Sequence, residues 1–282
     1  MTTLLTETKT ILKHYNIKLR KRMGQNLLVD SNVLDNQITH ANLQRNDIVL
    51  EIGAGIGTLT KRLATYVKEV IAVEKDPHLA EVLKSICEEW TNITIIHDDI
   101  LKMEPLPTFT KVVSNIPYSI SSPLTFKILT YSFDYAILTY QLDFAKRLTA
   151  TVGSREYSRL SVTAYYRAKA KILEKISRTA FYPAPKVDSA LVKITPHSPP
   201  FHVDNEKFFY DVVRALFNRK NRKAKTMLAI FLDKQKIFMS GKQILQELTQ
   251  ELQFLEKRGR EMSPEEIGLL TNHLWEKIHP AV

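Results

Sequence analysis

Ile48-Val49-Leu50-Glu51-Ile52-Gly53-Ala54-Gly55-Ile56-Gly57 decides how this chain is read. The first half is mostly apolar and partly β-branched, with the length of a buried strand. The glycines that follow interrupt it, and Thr58 to Tyr66 then carries the pattern of a helix. Glycines between a strand and a helix let the backbone approach a ligand closely and leave helix N-terminal amides free to meet it. The spacing is GxGxG, without the GxGxxG interval of a dinucleotide loop and without the Lys-Ser/Thr of a phosphate loop. Taken alone, such a loop is a weak signal. The ends of the next strands decide what it means.

Val70-Ile71-Ala72-Val73-Glu74 reads as the next strand. Its terminal acid lies about 20 residues beyond Gly53, the interval at which a carboxylate meets ribose hydroxyls. Ile93-Thr94-Ile95-Ile96-His97 is a third strand and runs into Asp98-Asp99-Ile100. There a carboxylate and an apolar neighbour suit the amino edge and ring face of an adenine. Lys111-Val112-Val113-Ser114 is a fourth strand, and it ends at Asn115-Ile116-Pro117-Tyr118. The Asn115 side-chain oxygen can accept a hydrogen bond. Pro117 has no N–H to tie its surroundings into a ladder, and Tyr118 offers a flat ring. Together they suit an exocyclic amine on an aromatic base, polarised by two carbonyl oxygens. Any one of these strand ends is equally well a helix cap, a solvated acid or a tight turn. Four in the order glycine loop, ribose acid, adenine acid and amide turn are harder to dismiss. They suit S-adenosyl-L-methionine better than a nicotinamide cofactor, because no His–Asp pair for hydride transfer follows and the amide turn would have no work.

Composition agrees with a globular, polyanion-binding protein. The 282 residues are 44% hydrophobic and 25% charged, with a formal net charge of +10. Nucleic acid and an anionic membrane both fit that charge. One basic run, Lys18-Leu19-Arg20-Lys21-Arg22, precedes Met23-Gly24-Gln25-Asn26. It is either a solvated arm or, through Lys21 and Arg22, a phosphate contact beside the site. A second group, Arg214, Arg219, Lys220, Arg222, Lys223 and Lys225, falls in one stretch without an acid. The single Cys87 excludes an internal disulfide and a cysteine-based zinc site, so a reducing compartment is expected, and the chemistry read from the strand ends requires no metal. No apolar run approaches the ~18 residues of a membrane span. The first residues include Glu7 and lack the apolar core of a secretory signal. The expected location is cytoplasmic.

These residues give the chain a family resemblance. It is similar to the ribosomal RNA adenine N6-dimethyltransferases, which include small-subunit dimethyladenosine transferases and erythromycin-resistance methylases. The matching residues begin with Gly24-Gln25-Asn26, Glu51 to Gly57, Glu74 and Asp99-Ile100. They continue with Asn115-Ile116-Pro117-Tyr118, Ser119-Ile120-Ser121-Ser122-Pro123 and Arg159-Leu160-Ser161-Val162. The last block is Phe181-Tyr182-Pro183-Ala184-Pro185-Lys186-Val187-Asp188-Ser189-Ala190, so the likeness spans most of the chain. Leu27 and Ser158 stand where the family usually has Phe and Gly.

The resemblance implies S-adenosyl-L-methionine as cofactor, met by Asn26, Leu28, Gly53, Glu74, Asp99, Ile100 and Asn115. It implies methyl transfer to N6 of adenosine, with Asn115 and Pro117 in the catalytic turn and Tyr118 and Phe181 on the two faces of the target base. Pro183 and Pro185 would stiffen the loop that carries Phe181. Stacking worth roughly 1–3 kcal/mol per base is comparable with the cost of extruding that base. Within the family, Lys257-Arg258-Gly259-Arg260 with Met262-Ser263-Pro264-Glu265-Glu266 looks most like the archaeal small-subunit enzymes. Their targets are two adjacent adenosines near the 3′ end of small-subunit ribosomal RNA, within an assembling subunit. A large-subunit methylase of the erythromycin-resistance type, and a non-catalytic RNA-binding assembly factor on the same fold, are the alternatives. The basic stretch at Arg219, Lys220, Arg222 and Lys223 is then a clamp on RNA phosphates or a solvated helix face. A monomer is expected.

The remaining elements follow from periodicity. Leu5 to Asn16 and Asn32 to Ala41 read as helices, the second capped at Asp30-Ser31. Tyr135 to Tyr140 is a fifth strand, after which Asp143 is expected to cap a helix through Leu148. Leu160 to Tyr166 is a helix, and Lys171 to Ile176 and Ala190 to Ile194 complete the strands. Seven strands in this sequence imply an α/β, doubly wound, Rossmann-like methyltransferase sheet with its last strand antiparallel. Thr195-Pro196-His197-Ser198-Pro199-Pro200 reads as a linker. Beyond it only helices are predicted: Phe208 to Phe217, Ala224 to Leu232, Gly241 to Leu255 and Pro264 to Ile278. The expected domains are 1–195, carrying the methyltransferase site and the basic arm, and 196–282, a small helical RNA-binding domain.

Overall fold

A computed structural model describes residues 3–20, 23–219, 222–234 and 240–279. Its centre is a sheet built from β1 (Ile48–Ile52), β2 (Glu69–Glu74), β3 (Ile93–His97), β4 (Lys111–Ser114), β5 (Tyr135–Gln141), β6 (Ala168–Ile176) and β7 (Ser189–Pro196). The seven-stranded order is β3-β2-β1-β4-β5-β7-β6. β1 to β5 are mutually parallel, and β7 runs antiparallel to β5, pairing Leu138 with Val192. The inner strands are continuous apolar runs because both faces are covered, as expected of a parallel sheet. Val49, Leu50, Val112, Val113, Ala136, Ile137 and Leu138 are fully buried.

The order reverses between β1 and β4. Connections leaving these neighbours go to opposite sides, so a crevice opens at their carboxyl ends. The glycine loop leaves β1 and the Asn115 turn leaves β4, so topology brings the two motifs together. At the other end of β4, Lys111 is buried and donates to Asp47 Oδ2 at 2.7 Å and to the Asn42 carbonyl. That pair seats the start of the strand whose far end carries Asn115.

A short separate ladder pairs Leu27–Leu28 with Phe181–Tyr182. It ties the segment after the basic arm to the proline-rich loop. Asp30 caps the helix Ser31–Ala41 by accepting from Asn32 and Val33. Asp143 does not cap. It lies inside the first turn of Leu142–Leu148, because strand passes to helix without an intervening loop residue.

The chain divides into two compact units, one of 1–145 with 170–196 and one of 146–169 with 197–282. One crossing falls beside the linker read from the sequence. The other two, at either end of 146–169, were not anticipated: Arg159–Arg167 lends Val162 and Tyr166 to the core of the second unit, with Phe209, Val212, Leu216, Leu228 and Leu270. In that unit helices span Glu206–Asn218, Ala224–Asp233, Gly241–Glu251 and Pro264–Ile278. The last opens with Pro264 and a reciprocal cap between Ser263 and Glu266. No helix among the described residues is long and apolar enough to cross a membrane.

Candidate active site

A cavity of about 230 Å³ lies at the reversal point of the sheet. Gly53, Gly55, Glu74, Asp99, Ile100, Asn115 and Pro117 line it, together with Asn26. The sequence placed these residues at separate strand ends, and the fold brings them to one wall.

The glycine loop is shaped by positive φ angles of 73° at Gly53 and 62° at Gly55. A Cβ on Gly53 would stand 2.9 Å from Cδ of Pro117. The amide turn therefore packs directly on the loop, which only a residue without a side chain allows. Gly55 donates its N–H to Glu74 Oε2 at 2.9 Å, and Asp76 donates its own to Glu74 Oε1 at 2.8 Å. Burial pushes the Glu74 carboxyl up, and these two amides pull it back. Each oxygen keeps lone-pair capacity for a ligand hydroxyl.

Asp99 is held at both oxygens. Leu101 donates its N–H to Oδ1 at 3.1 Å, and the Lys75 ammonium donates to Oδ2 at 2.8 Å. The ammonium holds the Asp99 carboxyl below the ordinary carboxylate range. Asp99 is thus an acceptor-only group with a fixed rotamer. Lys75 also lines the cavity, and sequence reasoning passed over it, although it stands directly between Glu74 and Asp76.

In the amide turn, Asn115 Oδ1 accepts from the Thr139 hydroxyl at 2.7 Å. The Pro117 carbonyl already accepts from Ile120 N–H at 3.1 Å, within the 3₁₀ turn Tyr118–Ile120. The Tyr118 hydroxyl pairs with Ser189 Oγ at 2.6 Å, which pins the phenol against the start of β7. Tyr118 is half-buried and is not a wall of the cavity.

Two of the expected site side chains lie away from the cavity. Leu28 is buried in the core with Leu34 and Phe181, and its neighbour Leu27 lines the cavity instead. Successive residues of the short ladder point to opposite faces, so only one of the two can face inward. Phe181 is 4% exposed and fills the same core cluster, so in this conformation it offers no free ring face to a base.

The Gln25 side chain was also unforeseen. It accepts from Arg20 N–H at 2.6 Å and donates to Asp76 Oδ2 at 2.9 Å, joining the basic arm to the residue that braces Glu74. Lys21 and Arg22 lie outside the described residues, as does Lys220. In the second unit Arg219, Arg222 and Lys223 are exposed. The stretch without an acid in sequence acquires one in space: Glu256 pairs with Lys223 at 2.7 Å and with Lys225. The two ammoniums, Lys223 first, hold the Glu256 carboxyl down to about 2.

A family model described as ribosomal RNA adenine dimethylase matches residues 16–255. A probable ribosomal RNA small subunit methyltransferase A of Methanosphaera stadtmanae is 49% identical over 226 residues, 79% of this chain and 82% of that protein. Its counterpart of the same name from Methanosarcina acetivorans is 44% identical over 268 residues, 95% of this chain and 98% of that protein. Among solved structures, a dimethyladenosine transferase from Plasmodium falciparum superposes with a TM-score of 0.75 at 29% identity. That match covers 89% of this chain and 98% of the other.

Proposed function

Because the chain belongs to the ribosomal RNA adenine dimethylase family, we propose that it transfers methyl groups from S-adenosyl-L-methionine to N6 of two adjacent adenosines near the 3′ end of small-subunit ribosomal RNA. The observation that carries the reading is the packing of Pro117 on Gly53, which sets Asn115 on the same wall as Glu74 and Asp99. The relatives named as small-subunit methyltransferases support the choice of RNA over a large-subunit target. The cytoplasm is the compartment that such a partner calls for.

The donor set suits an adenosyl cofactor. Glu74 would take the ribose hydroxyls, and Asp99 the adenine amine beside the apolar side chain of Ile100. Asn26, Gly53 and Asn115 would complete its contacts. A phosphate-bearing nucleotide fits less well, since Glu74, Asp98 and Asp99 would repel it. The cofactor supplies an electrophilic methyl group on a sulfonium that is already a good leaving group.

The chain's task is to make a poor nucleophile available. The lone pair of the adenine amine is delocalised into its ring. The free lone pair of Asn115 Oδ1 and the carbonyl of Ile116 would accept its two N–H bonds, favouring a pyramidal nitrogen with its lone pair aimed at the methyl carbon. The Pro117 carbonyl is less suited, being engaged by Ile120. Tyr118 would support one face of the base. Positioning and fixed dipoles supply most of the acceleration, with no covalent intermediate. Arg219, Arg222 and Lys223 would meet RNA phosphates, with Lys223 first surrendering its bond to Glu256.

Labelled methyl transfer to immature subunits tests this. Incorporation into small-subunit RNA is expected, and labelling of large-subunit RNA alone would overturn it.

A further inference from the structure

Asn115 is not free to turn at the end of β4. Parallel pairing sets Ser114 opposite Leu138, so the next step along both strands brings Asn115 alongside Thr139. β5 buries Ala136, Ile137, Leu138 and Tyr140, and Thr139 is a small polar side chain in that apolar run, 1% exposed. Its hydroxyl donates to Asn115 Oδ1 at 2.7 Å.

That bond carries directional information. A primary amide presents an oxygen with two lone pairs on one side and an NH₂ group with none on the other. A threonine hydroxyl has one proton to give. Were the Asn115 amide reversed, Nδ2 would donate to the threonine oxygen instead, and the buried hydroxyl proton, which has no other acceptor among the described residues, would lose its partner. The hydroxyl therefore selects the orientation in which Oδ1 lies toward β5. One lone pair of Oδ1 is used there, and the other remains for an incoming N–H.

We propose that Thr139 is a positioning residue for methyl transfer: its hydroxyl fixes the Asn115 carboxamide so that an oxygen, not an NH₂ group, meets the exocyclic amine of the target base. This rests on the reading of Asn115 as the amine-polarising group. In the reversed orientation two donors would face each other, the amine would be repelled, and its lone pair would stay in the ring. The hydroxyl touches neither base nor cofactor and acts through Asn115 alone.

The test uses the full chain with Thr139→Val and Thr139→Ala, which remove the hydroxyl with and without filling its space, and Thr139→Ser, which keeps it. Single-turnover methyl transfer to small-subunit RNA is measured at saturating cofactor, beside the Kd for S-adenosylhomocysteine. The hydroxyl-free variants are expected to transfer about tenfold more slowly, the scale of one lost positioning hydrogen bond. Their S-adenosylhomocysteine Kd should change far less than the rate, since Asn115 is one of several cofactor contacts, and Thr139→Ser should restore the rate. Wild-type rates in both hydroxyl-free variants would overturn the proposal. So would a loss of S-adenosylhomocysteine affinity in step with the rate, or a Thr139→Ser enzyme as slow as the others. Asn115→Ala at full rate would instead overturn the reading of the site itself, whatever Thr139 does.

Discussion

Gly53 and Pro117 come from different strands, yet a single added carbon on Gly53 would lie 2.9 Å from the proline ring. Their contact is where the glycine loop meets the amide turn. It exists because β1 and β4 are neighbours at the point where the sheet order reverses. The loop and the turn thus share one packing constraint.

Gly53→Ala tests that constraint. The residue sits at φ 73°, where a side chain costs roughly 1–2 kcal/mol, and the new methyl must displace Pro117. The variant should lose about 2 kcal/mol or more in urea unfolding, with S-adenosylhomocysteine affinity and methyl transfer falling together. Wild-type affinity in a folded variant would show that loop and turn are independent.

Lys75 should matter to binding more than to chemistry. Its ammonium is well exposed, so its bond to Asp99 is worth only about 0.2–1 kcal/mol. Lys75→Met is expected to raise the Kd for S-adenosylhomocysteine about two- to fivefold, with the single-turnover rate at saturation unchanged. Lys75→Arg should recover affinity. A lower rate at saturating cofactor would contradict this division of labour.

Glu51 gives the fold a distinctive pH dependence. It is 3% exposed, and its Oε2 has no hydrogen-bond partner among the described residues. Burial, reinforced by the charge of Glu74, pushes its carboxyl up to about 8. The unfolded chain releases that proton near pH ~4.3. The native state therefore holds an extra proton between those values. The resulting stability is complete below the lower value and is lost as pH rises toward the upper one. Glu51→Gln should remove this component, so its unfolding free energy should fall less than wild type between about pH 5 and 8. Equal slopes in urea titrations of the two proteins would count against a protonated Glu51.

In the second unit, Arg219→Gln with Arg222→Gln should weaken RNA binding and lower the slope of log Kd against log salt by about two. S-adenosylhomocysteine affinity should not change. Lys223→Gln should cost less, because its ammonium must first leave Glu256. An unchanged salt slope in the double variant would make the stretch an ordinary solvated surface.

The strand ends were legible because each carries a residue that a plain strand does not need: glycines at 53 and 55, Glu74, Asp99 and Asn115. Apolar runs located the sheet, and the interval to Glu74 singled out an acid that lines the cavity. What stayed hidden depends on pairing between distant segments. Nothing local in Tyr135 to Gln141 says that Thr139 will face Asn115; that needs the register of β4 and β5. Glu256 lies far along the chain from Lys223, so the stretch looked free of acids. The burial of Phe181 and Leu28 was hidden for the same reason, since the short ladder between their segments turns both side chains into the core. The transfer of 146–169 to the second unit was equally invisible, because its apolar face matches helices more than thirty residues further on.

The most direct measurement is nucleoside mass spectrometry of small-subunit RNA after incubation of immature subunits with S-adenosyl-L-methionine and either wild type or Asn115→Ala. Wild type should yield N6,N6-dimethyladenosine at two adjacent positions near the 3′ end. Asn115→Ala should yield none while binding the RNA as tightly as wild type. Dimethyladenosine formed at normal levels by Asn115→Ala, or no dimethyladenosine from wild type, would contradict the assignment of this site.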